Sequence, residues 1–192
     1  MAEYAAAGRS IEVPAQVCPD CGRALTGWSG YWRWLRDRVA HHVWVRRGRC
    51  PACRSTHALL PDLIHKRRLD TVDVIGAALA RSIRGQGMRR LAVAMDVPLS
   101  TARGWRTRHR ARAPALLARF AGLAIRLGDG LADLPTTVEA AAMAALAAAW
   151  SRARDRLRDG IGGMWRFWNG VCGGRALATN TDPRLGIIRS SR

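Results

Sequence analysis

The chain has 192 residues, enough for one domain or two small ones. Its 32 Lys and Arg against 14 Asp and Glu give a net charge of +18, which favours a nucleic-acid partner over an anionic membrane surface. Residues 1–14 contain no apolar core of a signal peptide, and the most apolar run, Val138 to Trp150, is too short to cross a bilayer and carries Glu139. Composition therefore predicts a cytoplasmic protein without a membrane partner.

Two Cys-x-x-Cys pairs are the most specific motif in the chain. Cys18 and Cys21 form the first pair, and Cys50 and Cys53 form the second. Each pair predicts a tight turn that presents two sulfurs, and four thiolates satisfy the tetrahedral preference of Zn²⁺. Two alternatives remain: a pair of disulfides, which needs an oxidising compartment, and iron in a rubredoxin-like site. The basic context favours structural Zn²⁺, with His41, His42 and His57 interpreted as surface residues.

The cysteine pairs lie in a segment with strand character. We expect a flexible arm at residues 1–16 and a zinc ribbon at 17–62, with strands at Gly30–Arg36, His42–Arg46 and Thr56–Leu60. Four tryptophans, at positions 28, 32, 34 and 44, are predicted to form the core of one face, because a ribbon this small has few other apolar residues. An aromatic platform that stacks on nucleic-acid bases is the alternative.

Helical periodicity begins at Thr71, after a linker at residues 63–70. One helix follows from Thr71, a short one runs from Met88 to Met95, and a third runs from about Leu99 to Arg110. Asp96-Val97-Pro98 forms the turn between the second and third, with Asp96 able to adopt the left-handed conformation. This order predicts a trihelical helix-turn-helix at residues 63–112, with Ala102 and Trp105 facing its core.

The third predicted helix presents polar and basic residues that fit a DNA major groove. Arg can donate two hydrogen bonds to guanine, while Ser and Thr contact phosphates or bases. The chain between Val97 and Arg119 carries six Arg and no carboxylate. We predict double-stranded DNA as the partner; a three-helix bundle for protein contacts is the alternative. The predicted DNA contacts are Leu99, Ser100, Arg103, Arg106, Thr107 and Arg110, with phosphate contacts at Lys66, Arg67 and Arg68.

Residues 113–192 are predicted to be a helical C-terminal region with a tail. An Ala-rich helix from Thr137 to about Arg158 has small residues that permit close packing, either in a homodimer or within its own domain. In the tail, Trp165 to Asn169 mixes aromatic residues with Arg166, a pattern that serves either docking on a core or contact with nucleic acid. Cys172 is predicted to be a buried thiol. The fold class that results is mainly α, with a small β zinc ribbon at the N-terminus.

These motifs, taken in order, resemble a known family. A doubled Cys-x-x-Cys ribbon, a strand ending in Leu59-Leu60-Pro61 and a helix-turn-helix with Ser100, Thr101 and Trp105 are similar to the N-terminal part of insertion-sequence transposases. The similarity is greater still to short actinobacterial proteins of unknown function that carry only that part. It covers about residues 17–112, together with a tail from Trp165 to Thr181. The resemblance implies DNA binding and implies no reaction.

The sequence predicts no catalysis. Transposases of this kind use three carboxylates on a ribonuclease-H-like sheet to hold two Mg²⁺. The carboxylates after Asp96 lie in helical or loop context, and no strand pattern surrounds them: Asp129, Asp133, Glu139, Asp155, Asp159 and Asp182. We therefore expect a transposase-related regulator or accessory factor. The alternatives are an inactive transposase fragment and a protein-interaction or iron redox module.

Overall fold

The computed structural model describes residues 1–128, 130–131, 133–157 and 160–177. Over these residues the chain forms helices and one three-stranded antiparallel sheet near the N-terminus, a mixed architecture. In chain order the elements are α1 (Ala2–Ala7), a 3-10 helix (Gly8–Ser10), β1 (Thr26–Asp37), β2 (Val39–Arg49), β3 (Thr56–Ala58), α2 (Val72–Ile83), α3 (Met88–Ala94), α4 (Leu99–Leu127), α5 (Val138–Leu157) and α6 (Met164–Val171).

Several predicted features fall outside the described residues. The predicted end of the Ala-rich helix at Arg158 is one of them, and the part of the tail resemblance beyond Leu177 is another. Among the candidate carboxylates, Asp129, Asp159 and Asp182 also lie there. Among the helices that the structure does describe, none has both the length and the apolar character that a membrane crossing requires.

The sheet is built on a long hairpin of β1 and β2, which pair from Thr26 opposite Arg49 to Asp37 opposite Val39, with a shift of register between Gly27 and Ser29. β3 pairs with the other edge of β2, so the strand order is β1-β2-β3. All three predicted strands are present: the first two extend beyond their predicted bounds, and the third ends at Ala58, two residues before its predicted end. Side chains of a strand alternate between the two faces, so Leu35, Val43 and Val45 lie on one face, where they are fully buried.

The prediction that the tryptophans form the ribbon core is wrong. Trp28 and Trp34 are each 57% exposed and Trp32 is 40% exposed, whereas Trp44 is half-buried. The register places Trp32 opposite Trp44 on the face that turns away from Leu35. The core is completed instead by Leu63 and Ile64 from the predicted linker, together with Met1, Tyr4, Ala5 and Leu60.

Helices α2, α3 and α4 share a second core. Thr71 caps α2 as predicted, because its Oγ1 accepts a hydrogen bond from the amide of Val74 at 3.4 Å. Ile75 and Leu91 pack with Trp105 in the interior, and Asp96 between α3 and α4 has the expected left-handed backbone, with φ of 50°. α4 is one helix of 29 residues that passes through Pro114, so the predicted end near Arg110 is wrong.

The Ala-rich helix α5 packs against α4 of the same chain. Ala141, Ala145 and Ala149 are buried at this contact, where small side chains let two helices approach closely. Of the two interpretations of this helix, packing within its own chain is the one that the structure contains. Dimerisation through the C-terminal helices stays a prediction.

The segment from Pro61 to Thr71, which contains the predicted linker, joins the sheet to the helices and is partly buried. Besides Leu63 and Ile64, it buries His65 and Asp70. The Arg36 Nε on β1 contacts the Asp70 Oδ1 at 2.6 Å, which ties the sheet to the start of α2. We call this segment the seam.

The C-terminal tail docks on the seam, one of the two roles that the sequence left open. Asn169 on α6 is 2% exposed, and its Nδ2 donates to the carbonyls of Asp62 and Ile64 at 2.7 and 2.8 Å. The backbone amide of Lys66 in turn donates to the carbonyl of Gly174 at 2.8 Å. The Trp168 ring contacts the His65 ring edge to face, with 4.8 Å between the ring centroids.

The amide of Asn169 should be essential to this docking. We expect Asn169→Ala to lower the free energy of unfolding by about 1–3 kcal/mol, because two buried carbonyls lose their donor. Asn169→Asp should lower it further, since an acceptor then faces two acceptors. Urea titrations of the two variants and the native chain measure both effects. Equal stability of all three proteins would show that the docking contributes nothing to folding.

His65 should make the stability depend on pH. Burial lowers its pKa to about 4 from an ordinary 6.5. The unfolded chain then binds a proton more readily than the folded one, so stability is complete above pH 6.5 and declines as the pH falls towards 4. The total decline from this residue is about 3 kcal/mol.

The variant His65→Phe keeps the ring contact with Trp168 and removes both buried ring nitrogens, for which the described residues supply no hydrogen-bond partner. We expect it to be at least as stable as the native chain at pH 7.5 and to lose less stability at pH 5. His109, whose pKa burial also lowers, supplies a remaining dependence in both proteins. Parallel stability curves for the two proteins between pH 7.5 and 5 would contradict this role of His65.

Candidate metal centre and basic helix face

The two cysteine pairs form turns with the same hydrogen bonds. Gly22 donates its amide to the carbonyl of Cys18 at 2.8 Å, and Arg54 donates to the carbonyl of Cys50 at 3.0 Å. In each turn the amide of the first cysteine also donates to the carbonyl five residues later, at 2.7 and 2.9 Å. The fourth residue after that cysteine is left-handed in both turns, with φ of 74° at Gly22 and 62° at Arg54. The two turns are therefore equivalent knuckles.

The knuckles bring four sulfurs together. The Cys18 and Cys53 sulfurs lie 3.5 Å apart, those of Cys21 and Cys50 lie 3.4 Å apart, and all four lie within 4.8 Å of one another. The edge of a tetrahedron with Zn–S distances of ~2.3 Å is about 3.8 Å, close to these spacings. All four cysteines are free of disulfides, so the disulfide alternative is not what the fold contains. The arrangement can hold one metal ion.

Electrostatics within the cluster favour a cation. The side chain and backbone amide of Ser55 lower the pKa of Cys53 to about 6. The amide of Arg23 also lowers the pKa of Cys21, but the neighbouring Cys50 and burial outweigh it and raise that pKa to about 12. Thiolates this close repel one another, so they cannot all be charged unless a positive ion lies between them. A divalent metal meets that requirement.

His57 lies beside the cluster, which the interpretation of it as a surface residue did not anticipate. Its Nε2 is 3.4 Å from the sulfur of Cys18 and 3.8 Å from the Oδ2 of Asp20. β3 begins directly after the second knuckle and pairs His57 with Gly48, which carries the ring back over the first knuckle. The sequence signal that could have identified this position of His57 is its place in a strand that begins three residues after Cys53. An N–H donor in this position orients a thiolate ligand and reduces its charge.

The predicted DNA contacts on α4 form one exposed stripe, spaced by three or four residues along the helix. We call this stripe the basic helix face: Ser100, Arg103, Arg106, Thr107 and Arg110. The sixth predicted contact, Leu99, is half-buried and packs against the helical core instead. The Arg110 Nε contacts the Glu139 Oε1 at 2.7 Å, so this guanidinium already has a carboxylate partner on α5.

The predicted phosphate contacts on the seam divide into two kinds. Lys66 and Arg67 are exposed. Arg68 is half-buried, and its Nη2 donates to the carbonyl of Leu177 at 3.0 Å, while its own carbonyl accepts from Arg33. Arg68 therefore holds the tail and the sheet together, and the structure does not place it with the two exposed cations.

The metal centre yields a direct test. We expect the purified chain to carry one zinc ion per molecule, and Cys18→Ser or Cys53→Ser to lose it and to unfold the sheet. Far-ultraviolet circular dichroism should show that the helices persist, because their core is separate from that of the sheet. Cys172→Ala is the matched control, since this buried thiol, whose pKa burial raises to about 12, lies outside the sulfur cluster.

Elemental analysis measures the metal in all four proteins. Iron in place of zinc, with the red colour of a four-sulfur iron site, would establish the iron alternative. A protein without metal would contradict both.

Comparison with known proteins finds a match for part of the chain. Residues 18–95 match a family model described as a domain of unknown function (DUF6431). The match begins at Cys18, the first cysteine of the sulfur cluster, and ends at Met95. It includes the sheet, the seam, α2 and α3, and less than half of the chain. It stops before α4 and the basic helix face. No curated protein and no solved structure shows detectable similarity. The chain is thus similar, over its sulfur cluster, sheet, α2 and α3, to a domain whose function is not defined.

Proposed function

We propose that this protein is a zinc-stabilised, sequence-specific DNA-binding protein. The observation that carries the proposal is the basic helix face of α4, where Arg103 and Arg106 are exposed. In the part of the chain that the structure describes, neither guanidinium has an ion-pair or hydrogen-bond partner. A solvated surface helix ordinarily alternates charges of both signs, whereas this stretch has only cations.

The other side of α4 explains how these side chains are held. Ala102 and Trp105 are each 2% exposed and anchor the helix in the core, which leaves the basic helix face pointing outward. The backbone of an anchored helix is already ordered and loses little conformational entropy on binding, and an α-helix fits the width of a major groove. The proposal assigns base contacts to Arg103 and Arg106.

The arrangement of α2, α3 and α4 supports interpreting them as a helix-turn-helix. A four-residue connection, residues 95–98, joins α3 to α4, and Val97 from this connection packs in the core. α3 carries two exposed cations, Arg89 and Arg90, where the first helix of such a motif crosses the DNA backbone. In this interpretation α4 enters the groove and α3 contacts phosphates.

We further propose that the metal is structural zinc and that the protein is not an enzyme. Four sulfurs leave no open coordination position for a substrate, which is the arrangement of a structural site. Of the candidate carboxylates, Glu139 is engaged by Arg110, and Asp133 lies in an irregular segment rather than on a sheet. A transposase-related regulator or accessory factor fits these features.

Replacing Arg103 separates sequence recognition from general attraction to DNA. Arg103→Ala should reduce the preference for a selected duplex over a scrambled one by about 5- to 150-fold, because a two-hydrogen-bond base contact contributes about 1–3 kcal/mol of discrimination. Arg126→Ala, which removes the same charge from an exposed position near the end of α4, is the matched control. Fluorescence anisotropy with both duplexes across a salt series measures the effect.

The exposed cations of the seam should behave differently. Lys66→Ala combined with Arg67→Ala should weaken both duplexes alike and reduce the salt slope by roughly 1.8, since each phosphate contact contributes about 0.9. Arg68 is left unchanged because it holds the tail. If Arg103→Ala and Arg126→Ala have the same effect on both duplexes, the basic helix face does not contact bases. If the native chain binds no duplex, the three-helix bundle for protein contacts is the better interpretation.

A further inference from the structure

The exposed face of the sheet carries a cluster of aromatic rings that the proposed function does not use. We call it the aromatic face: Trp32, Trp34, His42 and Trp44. Isolated exposed apolar residues are common on proteins, but Trp32 and Trp34, at 40% and 57% exposure, both stack on His42 and form with it a contiguous patch that marks an interaction site. Burying them would have stabilised the fold, so their exposure calls for a partner.

The rings are arranged in order across the two strands. His42 stacks on Trp32 at 4.9 Å and on Trp34 at 4.8 Å between ring centroids, with interplanar angles of 27° and 25°. Trp44 meets Trp32 edge to face at 5.3 Å. Gly30 makes room for Trp44, because a Cβ at that position would lie 2.4 Å from its ring. The patch is thus a preorganised series of flat surfaces.

Cations lie beside the aromatic face. The Arg9 guanidinium lies 4.9 Å from the centre of the Trp44 ring, and at the irregular end of β1 that of Arg49 lies 4.5 Å from the centre of the Trp28 ring. Beside them an open groove of about 740 Å³ runs between the N-terminal arm and the sheet. The lining of this groove includes three arginines, Arg9, Arg46 and Arg47, against one carboxylate, Glu12. The surroundings of the aromatic face therefore carry net positive charge.

We propose that the aromatic face binds single-stranded nucleic acid. Unpaired bases expose flat faces that stack on Trp, while the phosphates between them match the arginines. A DNA duplex does not fit, because its bases are stacked on each other and present only their edges. An apolar protein partner would not require the arginines that lie beside the aromatic face. This inference does not depend on the proposed function, which concerns duplex DNA and α4.

The test uses a labelled oligothymidylate of about 12 nucleotides, a length within the range that one stacking module covers. Fluorescence anisotropy gives its affinity for the native chain and for Trp32→Ala and Trp34→Ala. Each substitution should weaken binding at least about fivefold, the loss expected for one stacked base. Trp34→Phe should retain most of the affinity, because a flat ring remains. Circular dichroism and zinc content confirm that each variant is folded.

Two controls separate stacking from other causes. Val39→Ala removes an equally exposed apolar residue from the same sheet and should leave the affinity unchanged. Arg103→Ala should weaken binding of the selected duplex and leave the affinity for the oligothymidylate unchanged. The proposals for the basic helix face and the aromatic face are therefore tested independently.

Three results would overturn the proposal. One is an oligothymidylate affinity that Trp32→Ala and Trp34→Ala leave unchanged. Another is that heparin binds with the same affinity as the oligothymidylate and that Trp32→Ala and Trp34→Ala change neither affinity, which would show attraction by charge alone. The third is no binding of the oligothymidylate, which would assign the aromatic face to a protein partner.

Discussion

The architecture depends on how the buried backbone of the seam is satisfied. A segment that lies between two cores carries carbonyls that water cannot reach, and each needs a donor from the protein. Asn169 supplies one amide to two of these carbonyls, and the Arg36–Asp70 ion pair secures the other end of the same segment. Sheet, helices and tail are therefore joined by polar contacts at a few positions. The tail is part of the fold, although it is remote in sequence.

The seam also determines which face of the sheet is free. Leu63 and Ile64 fill the space beneath Leu35, Val43 and Val45, so the opposite face has no core to cover. A sheet of three strands would otherwise have to bury its own tryptophans to be stable. A metal ion held by the four sulfurs would supply stability that does not depend on apolar burial. With the seam covering one face, the tryptophans on the other face can remain exposed.

Two surfaces with different chemistry result. The basic helix face carries flexible cations on an anchored helix, which suits hydrogen bonds to base edges in a groove. The aromatic face carries flat rings among arginines, which suits unpaired bases. The first is a property of α4, outside the segment that matches the domain of unknown function, and the second lies within that segment. A protein that holds both could contact duplex and unpaired regions of one nucleic acid.

The sequence by itself determined the features that depend on local chemistry. The doubled Cys-x-x-Cys spacing predicted the sulfur cluster, Thr71 predicted the start of α2, and Asp96 predicted a left-handed turn, because each follows from a few adjacent residues. Tertiary structure decided which faces are buried. The alternation of side chains along β1 and β2 puts Trp34 and Leu35 on opposite faces of the sheet, but it does not show which face other residues of the chain will cover. That partner is Leu63 with Ile64, and the position of Asn169 over the seam likewise depends on contacts about 100 residues apart.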